Sequence, residues 1–489
     1  MIANQRSAHP HRPRPRASRA ILGFAVLTLI AAGALQGDDL TKAELIFPVR
    51  RADFKPWRQQ FYEFNLHTIG DIFRKNYDHG QPWAASASHL LDDLAGVFAE
   101  LPGAISSPVL KTEALAVVGQ GCDDPMVLYA CGIGYQTSQE IDQAIAMYAK
   151  AFARFQVTAY PSARTFACLA RLMNCRSMKE RSTDSPETEA VIRDWISYGV
   201  KALHEVSVGD VVGRQYYAKI LGPEFDGTIE IRERLHTALI AEIDKGGVDP
   251  WLGAVVKGYS ELDRAWAARG NGYGNTVTEA GWKGFAEHLD LAEKDFSAAW
   301  ALDQTLAQAP AGMINVCKGK SLGFAAEKMW MNRVLSAQMD FKDAYGNLFN
   351  AWQPRWGGTH EAILAVGRQA LATKAFDTDV PEVLLRAFNS VARDMKSTKG
   401  DPNQVWRNGQ VWTDIQVLFD GYLAEPSREA VRDWDLSRYA AYAWKCGKND
   451  QTTIILKRIK GKPDADIFQD IAQESLDTAQ KAVKGASDF

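Results

Sequence analysis

The chain has 489 residues, 46% hydrophobic and 24% charged, with a net charge of −3. Such a composition can fill a large core, and the length allows two to four domains or one extended array. The near-neutral balance argues against a nucleic-acid partner held by bulk charge.

In chain order, the first element predicted is an export signal. Residues 1–34 carry Arg6, Arg12, Arg14, Arg16 and Arg19 and no acid. The polar, proline-rich stretch "HPHRPRPRASR" precedes sixteen uncharged residues, Ala20–Leu35. "AGA" at Ala32–Ala34 then offers small residues at a cleavage position. Residues 1–36 therefore read as a signal peptide or a retained N-terminal membrane anchor. The apolar run is slightly short of the roughly 20 residues that span a bilayer. Both readings keep the basic end in the cytoplasm and place the body outside the inner membrane, periplasmic or anchored there with a membrane tether through residues 20–35.

Residues 37–120 form a predicted N-terminal helical segment. In "SHLLDDLAGVFAELPG", Leu90, Leu91, Leu94, Val97, Phe98 and Leu101 fall on one helical face. Ser88 is the expected cap, and Pro102-Gly103 the stop. Alternating strand patterns are scarce throughout the chain.

Residues 121–245 carry the first repeat signal. In "LYACGIGYQTSQEIDQAIAMYAKAFARF", Gly132 and Tyr135 take the small and aromatic slots of a first helix. Ala144, Tyr148 and Ala151 take the Ala, aromatic and Ala slots of a second. Small residues let two helices approach closely while aromatics fill the groove between them. The pattern is similar to a tetratricopeptide repeat. Cys122, Cys131, Cys168, Cys175, Cys317 and Cys446 are either disulfide partners in an oxidising compartment or buried free thiols. No Cys-x-x-Cys is present, and no metal or cofactor is expected.

Residues 246–489 are the Trp-rich helical-repeat region. Seven of the 14 tryptophans lie between Trp251 and Trp356; they either pack a core or line a stacking surface, and core is the expectation for most. Ala292, Phe296 and Ala299 repeat the second-helix spacing, as do Ala344, Leu348 and Ala351. "RYAAYAWKCGKNDQTTIILKRI" predicts a C-terminal helical hairpin turning at Gly447. Gly270, Gly272 and Gly274 form a glycine-rich loop without the preceding strand that a dinucleotide site needs. Thr276 and Glu279 are expected to make a capping box after it.

The stretch "PRWGGTH", Pro354–His360, sits between two predicted helices. Pro354 ends one helix, Gly357-Gly358 supply the turn, and Thr359 caps the next. Trp356 is expected to wedge between the helices, with Arg355 stacked on it or bonded to helix-end carbonyls. If the stretch is instead a ligand patch, Tyr273, Arg355, Trp356 and His360 are its candidate binding residues. No catalytic residue stands out: His204-Glu205 and His360-Glu361 begin a zinc-protease motif but lack its second histidine.

"WLGAVVKGYSELDRAWAARGNGYGNTVTEAGW", "QPRWGGTHEAILAVG" and "FDTDVPEVLL", with "GCDDPMVLYACG" upstream and "VWTDIQVLFDGYL" downstream, resemble uncharacterised exported bacterial proteins. Those proteins are tetratricopeptide-like and carry a domain of unknown function with a Pro-x-Trp-Gly-Gly motif. The resemblance implies fold and compartment and transfers no catalytic residue. Together these readings predict an all-α, irregular tetratricopeptide-like helical-repeat array, an α-solenoid. Its expected function is to bind a protein or peptide partner in the bacterial envelope through the concave face. The alternative is an envelope or secreted hydrolase with a site in residues 270–360.

Overall fold

The computed structural model describes residues 44–49, 54–76, 80–207, 209–222 and 227–480. The signal or anchor expected in residues 1–36 lies outside them. The described residues contain 22 α-helices and no strand, so the chain is an all-α helical array. None of these helices is long and apolar enough to cross a membrane.

The array opens with α1 (Trp57–Asn65), a π-turn at Leu66–Gly70, α2 (Asp71–Asn76), α3 (Ala84–Phe98) and α4 (Ser107–Gly119). Then come α5 (Pro125–Thr137), α6 (Ile141–Phe155), α7 (Ser162–Glu180), α8 (Pro186–Ala202), α9 (Val211–Ile220) and α10 (Ile229–Asp244). The Trp-rich region supplies α11 (Pro250–Arg269), α12 (Glu279–Leu302), α13 (Gln308–Gly319), α14 (Phe324–Ala337), α15 (Lys342–Ala351) and α16 (His360–Ala372). The last six are α17 (Val383–Ser397), α18 (Asn403–Arg407), α19 (Gly409–Ala424), α20 (Arg432–Lys445), α21 (Asn449–Leu456) and α22 (Ala465–Ala472). Sequence neighbours pack on each other most heavily: α5 on α6, α7 on α8, α11 on α12, α16 on α17.

Local chemistry sets many of the helix starts. Asp124, Ser185 and Asp249 each accept a backbone N–H of the turn they cap, and a proline follows each at the first helical position. Such a cap satisfies a donor that the helix leaves free, and proline there removes one more. Two expected caps lie elsewhere. Ser88 is inside α3, where its hydroxyl accepts from Arg74. Thr276 turns its hydroxyl back onto the Tyr273 carbonyl, 2.8 Å away, within a 3₁₀ turn. The backbone is extended at Val277 and Thr278, and Thr278 caps α12 by accepting from the Gly281 amide at 3.0 Å.

Glycine–aromatic contacts set the spacing between helices. Ala144, Tyr148 and Ala151 are fully buried on α6, and the Tyr148 ring fills the space that a side chain on Gly132 of α5 would need. Ala292, Phe296 and Ala299 are equally buried on α12. Phe296 lies against two glycines, Gly258 of α11 and Gly312 of α13. Ala344, Leu348 and Ala351 of α15 are buried too, and Asn347 ties that helix to the Ala311 carbonyl of α13 at 3.0 Å. The C-terminal hairpin forms from α20 and α21, with Gly447 at φ +69° between them.

Residues 45, 46, 57 and 58 reach far along the chain for their partners. The Leu45 and Ile46 amides donate to Gln369 and Asn332. The Trp57 amide donates to Asp340 at 2.8 Å, and its ring meets Phe341 edge-on at 4.9 Å. Arg58 pairs with Asp379 at 2.6 Å, and Glu100 with Lys342. An open solenoid has only nearest-neighbour contacts; here residues 44–103 close the array against residues 332–379.

All six cysteines are buried free thiols. Disulfides are therefore not what joins these helices. Buried ion pairs help instead: Arg428 holds Asp435 through two hydrogen bonds, and Arg214 holds Asp249, the cap of α11.

Candidate binding site at the Pro354–His360 corner

Helix α15 ends at Ala351, and Pro354–Trp356 form a 3₁₀ turn. Gly357 stands at φ +89°, where a side chain would be strained. Gly358 needs its missing side chain for a different reason: a Cβ there would overlap the Trp352 carbonyl. Thr359 caps α16 by accepting from the Ala362 amide at 3.1 Å. The stretch is thus a tight helix-to-helix corner, and its proline, glycines and threonine all serve the backbone.

Trp356 is half-buried and packs edge-on against Trp266 of α11, with ring centroids 5.8 Å apart. The cations over its ring are Arg269 and Lys318, each 5.6 Å from the centroid. Arg355, expected to stack on this ring or to bond helix-end carbonyls, is exposed and lines a neighbouring pocket. Arg269 also lies 5.6 Å from the Trp282 ring and donates to the Gly270 and Gly272 carbonyls at 3.1 Å. One guanidinium thereby joins the glycine-rich loop to the corner. Tyr273, in that loop, is 83% exposed.

Of the seven tryptophans in this region, Trp251, Trp330 and Trp352 belong to the core. Trp266, Trp300 and Trp356 are half-buried, and Trp282 is exposed. The indole N–H of Trp352 donates to Glu327 at 2.9 Å, and burial raises the carboxyl pKa of Glu327. Lys318 donates to Asn350 and Asn315 at 2.9 and 3.2 Å and sits 4.6 Å over Trp266. Burial, and then the neighbouring Arg355, lower its pKa to about 8.

A cavity of about 800 Å³ opens beside the corner, between α15 and α17. Arg355, Arg386 and Arg393 line it, with Asn350, Asn389 and Ser390 between them. None of the three arginines forms an ion pair or hydrogen bond to a carboxylate among the described residues. The acid in the lining, Asp394, is bonded to His360 Nε2 at 2.8 Å. Gln353 also lines the cavity; it is buried, and its amide oxygen has no protein partner.

Of the residues expected there, Arg355 lines the pocket, His360 reaches it only through its bond to Asp394, Trp356 packs against Trp266 as a wedge outside the lining, and Tyr273 stays on the neighbouring loop. Sequence reasoning missed Arg386, Arg393, Arg269 and Lys318. The first two had a signal: seven residues apart, with Asn389 and Ser390 between them, they repeat on one face of a helix. Lys318 and Arg269 had none, because only the packing of α11 and α13 against the corner brings them to Trp356. Among the described residues no group of three or more His, Cys, Asp or Glu could hold a metal. Compared with known families and curated proteins, the chain matches no family model and no curated protein.

Proposed function

We propose that this chain is an exported helical-array binding protein. It takes an acidic segment of a protein or peptide partner in the pocket beside Pro354–His360. The observation that carries the reading is the convergence of Arg355, Arg386 and Arg393 on one cavity with no carboxylate partner. Guanidinium groups bind carboxylates bidentately, and three together favour a ligand with more than one negative charge. Export rests on the basic, apolar and small-residue pattern of residues 1–36.

A hydrolase acting in residues 270–360 would need an acid and a base at the reacting bond. The cavity lining offers one carboxylate, Asp394, already engaged by His360, among three cations. That balance favours holding an anion.

The test is fluorescence anisotropy with a labelled peptide of alternating Glu and Gly, against the same peptide with Gln for Glu. Preferential, salt-sensitive binding of the Glu peptide that falls in Arg386→Ala and Arg393→Ala supports the reading. Equal binding of both peptides, or no loss in either variant, refutes it. Thermal melts show whether the variants fold.

A further inference from the structure

We propose a second ligand site, for a small aryl carboxylate, in the open cavity lined by α1, α3, α5, α7 and α9. It is separate from the corner pocket and independent of the function proposed for it.

The cavity has a volume of about 260 Å³. Its walls are the rings of Phe61, Phe98, Tyr129 and Tyr216, and its cations are Arg164, Arg171 and Lys219; no carboxylate lines it. Aromatic walls without an acid already distinguish it from an ordinary surface groove.

Arg164 decides the chemistry. It is 4% exposed, and its Nε has no hydrogen-bond partner. Its Nη2 donates to Asn65 and Thr68, both neutral, at 2.6 Å. The guanidinium lies 4.8 Å from the Tyr216 ring centre. Among the described residues no carboxylate pairs with it. Glu205 is nearby but accepts the Ser162 and Ala163 amides and the Tyr217 hydroxyl. Arg171 donates to the Tyr129 hydroxyl and to Gln136, also neutral partners. Lys219 lies 5.6 Å over Phe61, and Glu100, the acid it influences, is paired with Lys342.

A buried charge normally has a counter-charge, because desolvating it alone is costly. Here an arginine is buried beside a cavity and two further cations, no carboxylate bonds to it, and Glu205, itself held by neutral donors, lies outside the cavity lining. A carboxylate entering between Arg164, Arg171 and Lys219 would supply the missing charge. Its ring would lie against four aromatic walls. The volume falls just below the roughly 300–1,000 Å³ of drug-sized sites, which suits one ring with a short acid arm. The half-buried lining residues, Phe98, Ala167, Arg171, Lys219 and Ile220, form its open side.

Isothermal titration of the full chain with benzoate, phenylacetate and 3-phenylpropionate tests this. Benzyl alcohol and inorganic phosphate serve as the uncharged and ring-free controls. The expected result is saturable binding of at least one aryl acid and none of either control. Lys219→Ala and Arg171→Gln, each checked by thermal melt, should weaken it about tenfold or more, the loss of one charged contact. Because Lys219 is on the open side, its variant keeps the test informative if Arg171→Gln misfolds. Failure of all three acids to bind at millimolar concentration overturns the proposal. So does binding of phosphate alone, equal binding of benzyl alcohol, or unchanged affinity in Lys219→Ala.

Discussion

Phe296 occupies the space that a side chain on Gly258 would need: a Cβ there would fall 2.7 Å from the ring. Contact of this kind sets the spacing of α11 and α12, and the Tyr148–Gly132 pair repeats it between α5 and α6. Gly258→Ala should therefore destabilise the protein by about 1–3 kcal/mol, the usual cost of overpacking, despite alanine's better helix propensity. Gly346→Ala is the control. Gly346 is exposed within α15 and nothing would lie within 4 Å of its new methyl group. That variant should gain up to about 1 kcal/mol. Urea unfolding of both variants checks the pair. Destabilisation by both, or by neither, would mean that glycine spacing does not set the packing.

The amine of Lys318 is expected to titrate near pH 8, below the ordinary lysine value, because burial and Arg355 both penalise its charge. Methyl-labelled lysine NMR should show one resonance moving in that range, and Arg355→Ala should move its midpoint upward. The sign for stability follows from linkage. The folded pKa lies below the unfolded one, so between about pH 8 and 10.5 the unfolded chain binds more protons. This group therefore adds stability as pH rises through that window, and its charge is unfavourable to folding below it. Lys318→Met should flatten that part of the stability–pH profile. A midpoint unmoved by Arg355→Ala would separate Lys318 from the corner pocket.

Burial pushes the thiol pKa of Cys122, Cys131, Cys317 and Cys446 up to about 12 and that of Cys175 to about 11, and raises that of Cys168 as well. The thiolate is the reactive form. Native protein at pH 8 should thus react with a thiol reagent only as fast as it unfolds, and all six cysteines should react in denaturant. Rapid stoichiometric labelling of any one of them in the native state would contradict its buried environment.

Much of the helical frame was legible in the sequence. The period of Leu90–Leu101, the Ala-aromatic-Ala triplets and the turn at Gly447 are local patterns, and local patterns survive folding. The two misplaced caps show the limit. Thr276 and Ser88 have the right residue types, but a 3₁₀ turn holds the first and an earlier helix start engulfs the second. The corner was legible as backbone architecture because Pro354, Gly357 and Thr359 act within a few residues of themselves. Its pocket was not. Arg355 meets Arg386 and Arg393 only through the packing of α15 beside α17, and Trp356 meets Lys318 only through α13. Contacts between distant segments leave no periodic trace in a single sequence. The closure by residues 44–103 was invisible for the same reason.

That closure makes a prediction across nearly the whole chain. Trp57 is 4% exposed, lies tilted against Phe61 at 4.5 Å and meets Phe341 edge-on at 4.9 Å, while its amide donates to Asp340. Truncating such a buried indole typically costs about 3–5 kcal/mol. In Trp57→Ala the loss should not be confined to α1. The turn that carries Asp340 and Phe341 loses its covering ring, so its amides and the first turn of α15 should exchange faster with solvent deuterium. Helix α21, which packs on α20, should keep its protection relative to global unfolding. Hydrogen exchange read by mass spectrometry distinguishes the outcomes. Faster exchange at 338–345 together with 57–65 means the chain's beginning stabilises its middle as one cooperative unit. Faster exchange at 57–65 alone means α1 is an appendage, and the array holds its form without closure.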